Sequence, residues 1–161
     1  MKNYRARALA VFTAVSLFFG VGAVAVAAPA SAAAGYCNTF ASSDGTGGWV
    51  YRIPVQSVSG GYHELCYLGK STAYNNGAEQ LQRSLKLCYL AHIPAAWRDA
   101  FVDGYYGDRT ISVLASVQGA EGTGADGLYG PNTRRAIKWP AFTQAAGSFT
   151  GNCYKTAVTV P

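Results

Sequence analysis

Charge is scarce in this chain. Only 13% of its 161 residues are Asp, Glu, Lys or Arg, methionine occurs once, and histidine occurs twice, as His63 and His92. Each shortage removes a class of chemistry. A catalytic zinc centre takes three protein ligands, commonly with two or more histidines among them. His63 lies in a Gly/Tyr-rich turn region and His92 in a helix-to-loop connection, with no Cys-x-x-Cys and no Cys/His pairing at ligand spacing. Neither a metal nor a cofactor is expected. The Gly-x-Ser-x-Gly elbow, the P-loop and the dinucleotide fingerprint are all missing. Glycoside cleavage needs two carboxyl groups facing each other across the sugar, and the candidate acids, Asp44, Glu64, Glu79, Asp99 and Glu121 with the motif aspartates Asp103 and Asp126, read as turn, loop and helix-surface residues. No catalytic residue is assigned, and the chain reads as a non-enzyme.

The basic excess is concentrated at the start. Lys2, Arg5 and Arg7 precede a small-residue apolar run over residues 8–28, and Ala30-Ser31-Ala32 then offers a small-x-small cleavage site. Residues 1–32 are expected to be an export signal, cut as late as residue 34. Tyr36 stands before Cys37 where lipid attachment needs a small residue, so no membrane anchor is expected after cleavage. With the signal gone, ten basic residues face eight acidic ones, a net charge of +2. That is no nucleic-acid-binding charge. The cysteines, Cys37, Cys66, Cys88 and Cys153, all lie beyond the signal. An even number in a short exported chain implies two disulfides; of the possible pairings, Cys66–Cys88 and Cys37–Cys153 are expected.

The stretch Asp103-Gly104-Tyr105-Tyr106-Gly107-Asp108-Arg109-Thr110 returns 23 residues later as Asp126-Gly127-Leu128-Tyr129-Gly130-Pro131-Asn132-Thr133. Asp, Gly, Tyr, Gly and Thr are shared between the copies. Asp-Gly makes a tight turn, the carboxylate accepting from nearby backbone N–H groups while Gly takes positive φ. The second Gly then suits a helix N-cap, with Asp108 or Pro131 at the first helical position. Thr110, Val113, Leu114 and Val117 recur at helical spacing behind the first copy, and Thr133, Ala136 and Ile137 begin the same pattern behind the second. Upstream, Ala78, Leu81, Leu85 and Cys88 predict another amphipathic helix.

Leu81-Gln82 inside a helix, followed by the two Asp-Gly motifs each opening a helix, resembles the peptidoglycan-binding-like domain, a three-helix module that bacteria append to cell-wall enzymes. The resemblance runs from about Leu65 to Trp139. Val117-Gln118 departs from the aromatic-Gln pair usual at that point, and the connection from Ala91 to Phe101 is longer than usual. The fold implied is mainly α: a three-helix bundle over residues 65–140, with an extended arm or hairpin over 33–64 and an irregular tail over 141–161. Pro54 is expected to interrupt the short β-type runs of the arm, and Pro140 to stop the last helix.

The resemblance further implies a secreted or wall-associated monomer whose partner is peptidoglycan. A reader of glycan or peptide stem would use exposed rings for stacking and Arg, Lys or Asn for polar groups. The candidate contacts are Tyr105, Asn132, Arg134, Arg135, Lys138 and Trp139. Asp103, Gly104, Tyr106 and Gly107, with Asp126, Gly127, Tyr129 and Gly130, are expected to build the turns, Tyr106 and Tyr129 packing inward. The alternative is a secreted accessory factor or inhibitor that keeps the fold and partners a separate cell-wall hydrolase.

Overall fold

The computed structural model describes residues 35–45 and 48–155. The export signal expected over 1–32 lies outside the described residues. Strands β1 (Thr39–Asp44), β2 (Trp49–Val58) and β3 (Gly61–His63) lead to helix α1 (Asn76–Cys88). Two 3-10 turns, Leu90–His92 and Ala95–Trp97, precede α2 (Asp108–Ala120), α3 (Pro131–Ala136), β4 (Lys138–Thr143) and β5 (Phe149–Lys155).

The mainly α three-helix bundle is therefore overturned. The five strands form one antiparallel sheet in the order β1-β2-β4-β5, with β3 pairing β2, and strand and helix take similar shares of the chain. The expected arm supplies β1 to β3, the end of the expected helical domain and the start of the expected irregular tail together form β4, and the tail supplies β5. Two prolines account for the error. Pro54 sits inside β2, opposite Phe40 of β1. β4 pairs only with Trp49 to Tyr51 of β2, and β3 only with Gln56 to Val58, so neither asks position 54 for the N–H that proline lacks. Pro140 lies inside β4 at the register shift between Pro140 and Phe142, where the ladder to β5 is already irregular. The last helix ends before it, at Ala136.

Leu81 and Leu85 of α1 are fully buried with Ile53 and Val55 of β2 and with Trp139 and Ala141 of β4. The periodic face of the helix thus finds its main partner in the sheet. Asn75 caps α1, its Oδ1 accepting from Ala78 N at 3.1 Å, while its Nδ2 donates to Cys37 O at 2.8 Å. One side chain so fastens the helix start to the chain entering β1.

The disulfides pair differently from expectation. Cys37 bonds to Cys66 and Cys88 to Cys153, not Cys66 to Cys88 and Cys37 to Cys153. The sheet explains the exchange. Because the tail returns as β5, Cys153 comes opposite Pro140 and is carried to the end of α1, where Cys88 waits. Cys37 is drawn to Cys66 by the neighbouring bonds from Cys37 N to Tyr67 O (2.9 Å) and from Tyr67 N to Gly35 O (3.0 Å).

Candidate functional site

Both Asp-Gly motifs fold as one device, and a buried glutamine closes each. At the first turn, Gln82 Oε1 accepts from Asp103 N (3.0 Å) and Gly104 N (2.8 Å). Its Nε2 donates to Asp103 Oδ1 (2.8 Å), Tyr105 O (3.0 Å) and Thr110 Oγ1 (2.9 Å), one N–H being shared. At the second, Gln118 Oε1 accepts from Gly127 N (2.7 Å), and Nε2 donates to Asp126 Oδ1 (2.9 Å), Leu128 O (2.9 Å) and Thr133 Oγ1 (2.8 Å). Each aspartate also accepts from the backbone two residues on, at Tyr105 N and Leu128 N. Gly104 and Gly127 take φ of 76° and 69°. Gly107 and Gly130 occupy the N-caps of α2 and α3.

The motif tyrosines Tyr106 and Tyr129 are buried, and burial pushes both phenols up from their ordinary value. Tyr106 Oη donates to Gly127 O at 2.9 Å, so the first turn is tied to the second.

Residues 67–75 cross in front of both turns. Leu68 pairs with Tyr129 and Tyr74 with Tyr105, and Ser71 N donates to Tyr106 O at 3.0 Å. This crossing segment brings two half-exposed rings to the turns. Tyr74 lies on Gly104, where an added Cβ would stand 2.3 Å from Cε2, and meets Tyr105 edge to face at 6.1 Å. Tyr67 lies on Gly130, where an added Cβ would stand 2.9 Å from Cδ1 and Cε1. Beside the second turn, Tyr67, Asp126, Leu128 and Asn132 line a groove of about 220 Å³. Asp126 Oδ2 and Asn132 Nδ2 take part in no hydrogen bond among the described residues. The groove therefore offers a ring, an apolar wall, one acceptor and one donor.

The six candidate contacts do not converge. Asn132 lines the groove, and Arg135 Nη2 donates to its Oδ1 at 2.7 Å. Tyr105 belongs to the first turn. Arg134 and Trp139, 3% and 0% exposed, stand in the interior rather than on a binding surface. Arg134 forms an ion pair with Glu64, while Trp139 Nε1 donates to Arg134 O at 3.0 Å and its ring meets Tyr129 edge to face. Tyr67 was missed by sequence reasoning. The only signal for it is its position two residues before Gly69-Lys70, in a segment whose pairing with the turns is long-range.

Lys138 belongs to a separate cluster. Glu121 accepts from Tyr89 Oη at 2.7 Å and faces Lys155 Nζ at 2.9 Å and Lys138 Nζ at 3.7 Å. Burial alone would raise the Glu121 carboxyl, but the Tyr89 and Lys155 hydrogen bonds and the two ammonium charges outweigh it and hold the carboxyl below the ordinary value. A depressed folded value means stability that is present above the unfolded carboxylate range and lost as pH falls through the folded value. Glu121→Gln is expected to lower stability at neutral pH and to flatten its decline below about pH 5. Circular dichroism against pH reads both, and a variant whose acid decline matches the parent's would remove Glu121 from that role.

Among the described residues, no group of three or more His, Cys, Asp and Glu side chains is placed to hold a metal ion. No helix among them is long and apolar enough to cross a membrane.

Over 45 residues, 28% of its length, the chain is 47% identical to a Bacillus licheniformis protein named "Probable N-acetylmuramoyl-L-alanine amidase". The matched stretch makes up 12% of that relative. No protein-family model matches the chain, and no solved structure does.

Proposed function

We propose that this is an exported, non-catalytic protein that binds the glycan of peptidoglycan in the groove of Tyr67, Asp126, Leu128 and Asn132. One observation carries the reading: a half-exposed ring seated on the backbone of Gly130, beside a carboxylate oxygen and an amide NH2 that have no partner among the described residues. A sugar presents an apolar face and hydroxyls that both donate and accept. The groove carries the complement of each. The turn holding these groups is tied down by Gln118 and Tyr106, so little ordering remains for the ligand to impose. Of the candidate contacts, Asn132 and Arg135 serve this groove. Two disulfides suit an oxidising, extracellular compartment.

The partial likeness to an amidase supports a place at the cell wall, since that relative's name gives the muramoyl–alanine bond as its substrate. It also favours a second reading, catalysis on the same polymer. One assay separates the two. The oxidised protein is mixed with insoluble purified peptidoglycan and pelleted, and the supernatant is assayed for released fragments. Binding without release is expected, with Tyr67→Ala weakening it by about tenfold and Tyr67→Phe retaining it. Fragment release would replace binding with catalysis, and protein left in solution at high wall excess with no fragments released would sink both.

A further inference from the structure

Away from that groove, residues of α1, β2 and β4, with Leu90 and Val102, line a cleft of about 490 Å³, within the size range of small-ligand sites. It is lined by cations. Arg52 comes from β2, and Arg83 and Lys86 from α1. Arg83 is paired with Glu79, its Nε donating to Oε1 at 3.0 Å. Arg52 stacks over the Phe142 ring, Cζ lying 4.7 Å from the centroid. Among the described residues, neither Arg52 nor Lys86 has a carboxylate partner. Three cations thus meet one acid.

The same cleft has an apolar wall. Leu87 and Leu90 are 40% and 43% exposed beside the cations, and Val102 and Phe142 continue the wall. Gln80 is buried there; its Nε2 donates to Ser84 Oγ at 3.3 Å, while its Oε1 accepts no hydrogen bond among the described residues. A ligand suited to all three features carries an anion, an adjacent N–H and an apolar flank. Inorganic phosphate lacks the last two, and a fatty acid lacks the N–H.

We propose that this cleft binds the C-terminus of a short peptide with small apolar side chains. Its carboxylate pairs with Arg52 and Lys86, a backbone N–H donates to Gln80 Oε1, and the side chains cover Leu87 and Leu90. The sheet makes the site, because Arg52 and Phe142 come from strands. This proposal does not depend on the glycan groove. Such a terminus could belong to a wall stem peptide, ending in D-alanine, or to an ordinary polypeptide, ending in an L-residue.

Calorimetric titration of the oxidised protein with acetyl-lysyl-D-alanyl-D-alanine, its L,L isomer and the C-terminal amide of each provides the test. The free acid of one isomer is expected to bind, with amidation weakening it by about tenfold or more, since only the ionised terminus makes charge-assisted bonds. Binding of either acid supports the proposal, and the preferred configuration names the source. Arg52→Gln and Lys86→Gln should each weaken the acid and narrow the acid–amide difference, while Tyr67→Ala leaves both unchanged. The proposal fails if acid and amide bind alike, if neither binds at millimolar concentration, or if inorganic phosphate displaces the peptide at equal concentration. Failure here leaves wall pelleting through Tyr67 untouched, and failure of pelleting leaves this titration standing.

Discussion

Replacing Cys88 and Cys153 together by alanine is expected to lower the unfolding free energy by about 4 kcal/mol, a drop in Tm of roughly 15 °C. The bond closes a separation of 65 residues, so its loss restores more freedom to the unfolded chain than loss of Cys37–Cys66, which closes 29. It also releases β5, an edge strand whose only sheet neighbour among the described residues is β4. The Cys37→Ala/Cys66→Ala pair is expected to cost about 3.5 kcal/mol from chain entropy alone, with some added loss because both cysteines are fully buried. Denaturant midpoints of the two double variants measure the difference. A loss below about 1 kcal/mol for Cys88 and Cys153 would show that β4, and the cluster of Lys155 with Glu121, hold the C-terminal strand without help.

Gln82→Ala and Gln118→Ala come next, each expected to destabilise by about 3 to 4 kcal/mol. Both glutamines are 1% exposed. Truncating Gln82 strands the N–H groups of Asp103 and Gly104 together with the carbonyl of Tyr105 in a space water enters poorly, so the cost is desolvation without repayment rather than one lost bond. The Gln118 variant carries a further consequence. Asp126, Leu128 and Asn132 sit on the turn it closes, so wall binding should fall even at temperatures where the protein stays folded. Gln118→Glu separates shape from hydrogen bonding: it keeps the acceptor for Gly127 N but sets a carboxylate against Asp126. It should cost at least as much as the alanine. A Gln118→Glu variant as stable as the parent would mean that the amide donor contributes little.

Fastening both ends of the groove has a functional meaning under the binding proposal. Tyr67 is positioned by pairing of its segment with Tyr36 and Tyr129, and Asn132 by Arg135. A groove built from such parts has little freedom to lose when a sugar enters.

Much of the helical half was legible because its causes are local. Spacing of Leu81, Leu85, Val113, Leu114 and Val117 depends only on the helical repeat, and Asp-Gly turns depend on positive φ at the glycine and on an aspartate that reaches two residues along the chain. An even count of cysteines likewise led to two disulfides. Gln82 could be placed in a helix, but its work as a buried clamp was not legible, since the groups it closes lie more than twenty residues away.

Only the tertiary structure decided the rest, and the reason throughout is pairing between distant segments. Pro54 and Pro140 argue locally against strands, yet each falls where no neighbouring strand needs its missing N–H. Once the tail returns as β5, Cys153 must meet Cys88. Once α3 packs beside Glu64, a helix-surface arginine becomes the buried Arg134. By itself the sequence determined the turns, the helical periodicities and the presence of two disulfides. The sheet, the disulfide pairing and the face that Tyr67 presents depend on contacts whose energies no single stretch of residues contains.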